Sequence, residues 1–215
     1  MNEAEIGAVV ESERLSLCKL LEDLDPADWT VVSLCPDWTV RDVVAHLTTT
    51  TRATKPDMIL AMIRARGNFH RMTSRTARRR ASAFTPAELV AQLRDTAGST
   101  RRMPGSGPMD PLVDVLVHGQ DIAHPLGRDR ALPREAAAAA LAYTANNAFY
   151  GAPNRFAQLR LVATDADWTS GEAADEVRGP IRDLLLVATG RPTGLAGLAG
   201  TGLERLNARF AGASG

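Results

Sequence analysis

The chain is poor in lysine, cysteine, aromatic residues and net charge, and each shortage excludes something. Only Lys19 and Lys55 are lysines; the other basic residues are arginines. With the alanine-rich stretches, that bias reflects a GC-rich genome more than a function. Cys18 and Cys35 are too few for a disulfide framework. Twenty-five basic residues balance 25 acidic ones, so no global field steers the protein toward nucleic acid or a membrane surface. No apolar run is long enough to span a bilayer. The start, Met1-Asn2-Glu3-Ala4-Glu5, has no basic segment and no signal-peptide core, and the expectation is a cytoplasmic protein. A phosphate-cradling loop is also missing: Gly194, Gly197, Gly200 and Gly202 follow a helical pattern, not a strand.

What is present suits one large domain or two small ones: 215 residues, 45% of them hydrophobic. Helical periodicity dominates the first two-thirds. Residues 2–24 carry Ile6, Val9, Val10, Leu17, Leu20, Leu21 and Leu24 on one stripe, and Asn2 and Glu5 have capping-box spacing. Residues 25–38 read as a loop with Trp29, Cys35, Pro36 and Trp38. Thr39 and Asp42 then open a helix over 40–54, with Val40, Val43, Val44 and Leu47 inward and His46 beside that stripe. The pattern resumes over 57–80 and becomes basic, from Arg64 to Arg80. Thr85-Pro86-Ala87-Glu88 starts a helix through about Ala97, and 98–109 is a loop. Pro133 begins an Ala-rich helix to about Tyr150. After Gly151 the texture changes. Phe156 to Thr164 alternates as a strand, short pairing segments follow near 168–171 and 176–178, and helices are expected over 180–188 and 202–210. The expected architecture is mainly α: a helical bundle over 1–150, then a small α+β domain over 151–215.

The stretch from Asp110 to Gly127 carries most of the chemistry. Asp110 is placed to cap and Pro111 to occupy the first helical position, while Pro125 and Gly127 close the helix. Asp114 and His118 are four apart on one face, and Asp121 follows three later on the same side. A carboxylate and an imidazole one turn apart can supply two ligands to one metal or act as an acid–base pair. The same spacing is common on solvated helices, and a lone histidine such as His46 is more often a hydrogen-bonded core residue than a ligand.

Three segments carry a family resemblance: Trp38-Thr39-Val40-Arg41-Asp42-Val43-Val44-Ala45-His46-Leu47, Leu116-Val117-His118-Gly119-Gln120-Asp121-Ile122, and Leu161 to Trp168. Together they resemble the mycothiol-dependent maleylpyruvate isomerase family, over nearly the whole chain. The resemblance implies a DinB-like four-helix bundle with a small C-terminal domain. It implies a divalent metal, zinc first, held by a histidine matching His46 and a Glu-x-x-x-His pair matching Asp114 and His118. Asp114 departs from the glutamate of that pattern and is one methylene shorter; zinc accepts either carboxylate. The resemblance also implies mycothiol as the thiol cosubstrate and a small electrophile as its partner, in an isomerase or an S-transferase. Asp121 is then a second carboxylate that orients the histidine or the thiol, against a plain surface role.

Two other classes stand beside this reading. One is a non-catalytic bundle that binds a metal or ligand and pairs as a homodimer, favoured by Asp114. The other is nucleic-acid binding through Arg64–Arg80, disfavoured by zero net charge and scarce aromatics; no nucleic-acid or membrane partner is expected.

Overall fold

The computed structural model describes residues 1–52, 54–103 and 105–212, with Lys55 by its backbone only. The expected helix 40–54, the loop 98–109 and the C-terminal domain include Ala53, Pro104 and residues 213–215, which lie outside the described residues. Contacts divide the chain into two compact units, Asn2–Arg130 and Ala131–Gly215, the second also taking Met1. The break expected near Gly151 thus falls earlier. The Ala-rich helix α7 (Arg134–Ala145) packs on a later helix, α9 (Ile181–Ala188).

The first unit holds α1 (Glu3–Glu22), α2 (Val40–Arg52), α3 (Lys55–Arg64), α4 (Phe69–Ala83), α5 (Pro86–Asp95) and α6 (Asp110–Ala123). Both α1 and α2 pack against α5 and α6, which makes a four-helix core, and α4 lies along α2. Local signals set the helix starts. Asn2 and Glu5 form the capping box of α1, and Thr85 and Glu88 that of α5. Thr39 and Asp42 bond reciprocally at the start of α2. The single helix expected over 57–80 is broken. Arg66 and Gly67 take positive φ, 55° and 76°, and Asn68 caps a new helix by accepting from the Arg71 N–H. Gly67-Asn68 was the readable stop signal.

Helix α6 is the axis of this unit. Leu112, Val113, Val115, Leu116, Val117, Ile122 and Ala123 are all buried, so the helix is apolar nearly all round, as a central helix must be. Asp110 does not cap it; its carboxylate accepts from the Gly107 N–H at 2.7 Å, back in the preceding loop. Gly119 leaves room for Arg130, whose Nε lies 2.7 Å from where a Cβ would stand. Arg130 donates to Glu13 Oε2 at 2.6 Å and to Ser16 Oγ at 3.0 Å, while its carbonyl accepts from Gln120 at 2.8 Å. This buried pair ties α1 to α6. Burial pushes the Glu13 carboxyl up, against the pull of Arg130.

The second unit holds α7, the one-turn α8 (Ala152–Arg155), β1 (Arg160–Ala163), β2 (Thr169–Ser170), β3 (Glu176–Gly179), α9 and α10 (Leu203–Ala211). The sheet order is β2-β1-β3; β1 pairs antiparallel with β2 and parallel with β3. The strand expected from Phe156 begins later, at Arg160, because α8 and the positive φ of Gln158, 56°, precede it. Leu161 and Val177 face the core with the buried side of α9. The late glycines serve packing. Gly200 has φ 121°, and a Cβ there would lie 2.2 Å from the Glu176 carbonyl. Among the described residues, no helix is long and apolar enough to cross a membrane.

Candidate metal centre

The site lies within the first unit, where α2 faces α6. His46 projects from α2 beside the buried stripe; Asp114, His118 and Asp121 project from one side of α6. Asp114 Oδ1 stands between the two imidazoles, 3.3 Å from His46 Nε2 and 3.4 Å from His118 Nε2. One donor atom from each of His46, Asp114 and His118 falls within 4.8 Å of the others. The rings of His46 and His118 meet edge to face at 4.9 Å between centroids. The three residues named from the sequence are therefore brought together, and each is partly shielded from water.

Asp121 does not lie at the surface. It is fully buried, and its Oδ2 is 2.8 Å from His118 Nδ1. Both nitrogens of His118 thus face carboxylates, one on each side. Cys35 adds a contact the sequence reading did not foresee. Its thiol donates to Asp121 Oδ2 at 3.0 Å, and Sγ lies 3.7 Å from His118 Nδ1. A folded loop delivers it: Val32 bridges Thr39, Leu34 N–H donates to the Asp121 carbonyl, and Asp37 takes φ 63°. Trp38 closes the same loop, its ring centroid 5.2 Å from His46 and 6.3 Å from His118. In the sequence Cys35 reads only as a loop residue, and Trp38 as a loop residue that opens a segment carrying the family resemblance; nothing in their spacing relates them to His118.

The electrostatics follow from this crowding. Burial alone would lower the His118 imidazole. The Cys35 thiol, the Asp121 hydrogen bond and the Asp114 charge outweigh it and raise it to about 10. Burial pushes Asp114 up, but the His46 hydrogen bond and the His46, His118 and Arg14 charges hold it below the usual carboxylate range. The donor set is two imidazole nitrogens and one carboxylate oxygen. That suits a divalent ion with an open position, such as zinc, and also fits other first-row ions.

The arginines from Arg64 to Arg80 do not join this site. Several are held by the bundle: Arg75 donates to the Arg64 carbonyl, Arg78 to the Asp37 carbonyl, and Arg80 to Thr48 while lying over Phe84.

Fold and site define a helical-bundle protein with an internal histidine–carboxylate cluster and a small α+β unit. Residues 10–111 match the family described as mycothiol maleylpyruvate isomerase N-terminal domain. The matched segment includes His46 and ends before Asp114. The fold is similar to the crystal structure of the mycothiol-dependent maleylpyruvate isomerase, with TM-score 0.63, 14% identity, and coverage of 94% of this chain and 93% of that one. A histidine-to-alanine mutant of that enzyme aligns with TM-score 0.62 and 15% identity, at the same coverage. No curated protein sequence matches the chain.

Proposed function

We propose that the chain is a metal- and mycothiol-dependent enzyme, an isomerase or S-transferase, acting on a small electrophile. The observation that carries this reading is the convergence of His46, Asp114 and His118 within metal-ligand reach, with His118 oriented from behind by buried Asp121. His46 Nε2, a carboxylate oxygen of Asp114 and His118 Nε2 would hold the ion. When bound, it stabilises a thiolate at its open position at neutral pH. The chain's residues do the rest. Asp121 accepts from His118 Nδ1–H, which fixes the tautomer and leaves the Nε2 lone pair toward the site. Asp114 supplies the only negative charge among the three ligands. Trp38 covers the two imidazoles on one side and limits water. We place this activity in the cytoplasm.

The isomerase and transferase forms begin alike. Thiolate sulfur adds to an electrophilic carbon and the electron pair moves onto the acceptor group of the substrate. In the isomerase the former double bond rotates, then the C–S bond breaks and thiolate leaves. In the transferase the carbanion is protonated and the thioether is the product.

The test is elemental analysis of protein purified without chelator or a histidine tag, followed by mycothiol consumption assays on a panel of electrophiles that includes maleylpyruvate. Expected are about one equivalent of metal and activity lost together with it on chelation or in His118→Ala. Activity that survives both refutes the metal mechanism. Bound metal without activity on any electrophile favours the second reading, a non-catalytic binding module, for which the shorter Asp114 is the supporting feature.

A further inference from the structure

A pocket opens beside the histidine cluster, within the first unit. It is lined by His46 from α2, Asp57 and Met58 from α3, Met72 and Thr73 from α4, Met103 from the loop before α6, and neighbouring small residues. His46 is a wall of this pocket and also a member of the converging triad, so an occupant would lie next to the proposed metal position.

Three observations define that occupant. The first is shape and polarity. Three methionines and Ala61 make a pliable apolar lining. The second is charge. Among the described lining residues the only carboxylate is Asp57, with the His46 imidazole on another wall. Hydrogen bonds from the Thr54 hydroxyl and N–H, and to a lesser extent the Arg79 charge, hold its exposed carboxyl below the usual range, so it stays ionised at the mouth. Asp114, behind His46, is matched by the imidazoles on either side of it and brings no unbalanced charge to the pocket. Arg14, which faces Asp114 electrostatically, has Nη1 committed to the carbonyls of Thr96, Ala97 and Ser99. A dianionic substrate would lose its hydration against this apolar lining and find no arginine or lysine among the described lining residues. The third is a vacant donor. Thr49 and Thr50 bond to the Ala45 and Leu47 carbonyls of their own helix, but Thr73 Oγ1 is buried with no hydrogen-bond partner among the described residues. Burying such a hydroxyl unpaired is costly, and a ligand acceptor would relieve that cost.

We propose that this pocket receives the electrophile, and that the electrophile is uncharged and largely apolar, with a carbonyl-type acceptor taken by the Thr73 O–H. The term electrophile rests on the thiol-activation reading above; the binding preference does not. The chain is then selective against dicarboxylates of the maleylpyruvate kind and suited to compact neutral enones.

The experiment measures equilibrium binding of two probes to the full chain by calorimetry, with no thiol present: benzylideneacetone, a neutral aryl enone, and maleate, a dianion. Zinc content is assayed on the same preparations. Expected is binding of the enone at least about tenfold tighter than maleate. Thr73→Val should weaken the enone by about fivefold to tenfold, the scale of one lost hydrogen bond, and Thr73→Ser should restore it. Met58→Lys should shift preference toward maleate. Maleate binding as tightly as the enone, no enone binding, or an unchanged enone affinity in Thr73→Val each overturns the proposal. If the enone is preferred but the protein holds no metal even after zinc is added, the thiol-activation reading fails and the pocket assignment stands. If zinc is bound and maleate is preferred, only the pocket assignment fails.

Discussion

Asp121 sits directly behind His118, its Oδ2 2.8 Å from Nδ1, while Nε2 of the same ring points to Asp114. An imidazole held this way has one nitrogen fixed as donor and the other free to ligate. Asp121→Asn keeps the shape and removes the charge. It should weaken zinc binding by about 10- to 100-fold, the usual scale for partners behind a ligand. His118→Ala should cost far more. Competition with a chromophoric chelator measures both, and an Asp121→Asn protein with native affinity would show that the contact is merely structural.

Zinc binding should release a proton. The metal-free imidazole of His118 is raised to about 10 by Cys35, Asp121 and Asp114 against its burial, so it is charged at neutral pH, and a ligating imidazole must be neutral. Affinity should therefore rise between pH 6 and 9, by up to about tenfold per pH unit for one displaced proton. Calorimetry in buffers of different ionisation enthalpy reads the proton count; zero would contradict the assignment. The folding linkage has the opposite sense in the metal-free protein. A raised imidazole stabilises the fold fully below its unfolded value, near 6.5, and that contribution is lost as pH rises through about 10.

Asp114→Ala removes the only charged ligand and should weaken zinc binding by more than the Asp121 change. Asp114→Glu should retain metal, since it lengthens the arm that now reaches both imidazoles at 3.3 and 3.4 Å. Cobalt substitution checks this independently of activity. A tetrahedral ligand-field spectrum should persist in Asp114→Glu and vanish in Asp114→Ala.

Gly119→Ala should destabilise the bundle although alanine favours helix by about 1 kcal/mol. The new Cβ would stand 2.7 Å from Arg130 Nε, and that side chain is pinned by Glu13 and Ser16. A net loss of about 1–3 kcal/mol is expected from overpacking, read as a lowered Tm. A raised Tm would mean the guanidinium yields easily.

Helix starts and the two-part texture were legible in the sequence because they depend on neighbours a few residues apart. Asn2 with Glu5, Thr85 with Glu88, and the period of the valines before His46 each decide local backbone without help from distant chain. Asp114 and His118 were legible as a pair for the same reason: one helical turn separates them whatever the rest of the chain does. The family resemblance linked His46 to that pair; its spacing did not. Tertiary structure decided the remainder. Packing of α7 on α9 moved the domain break to Arg130/Ala131. Burial of α6 placed Asp121 in the interior, where the sequence reads almost as well with an exposed position. The loop before α2 carried Cys35, 86 positions from Asp121 in sequence, to 3.0 Å from its carboxylate. Contacts across such separations leave no periodic trace. They arise only when several helices bury their apolar faces together and the polar residues at the seams are forced to find one another.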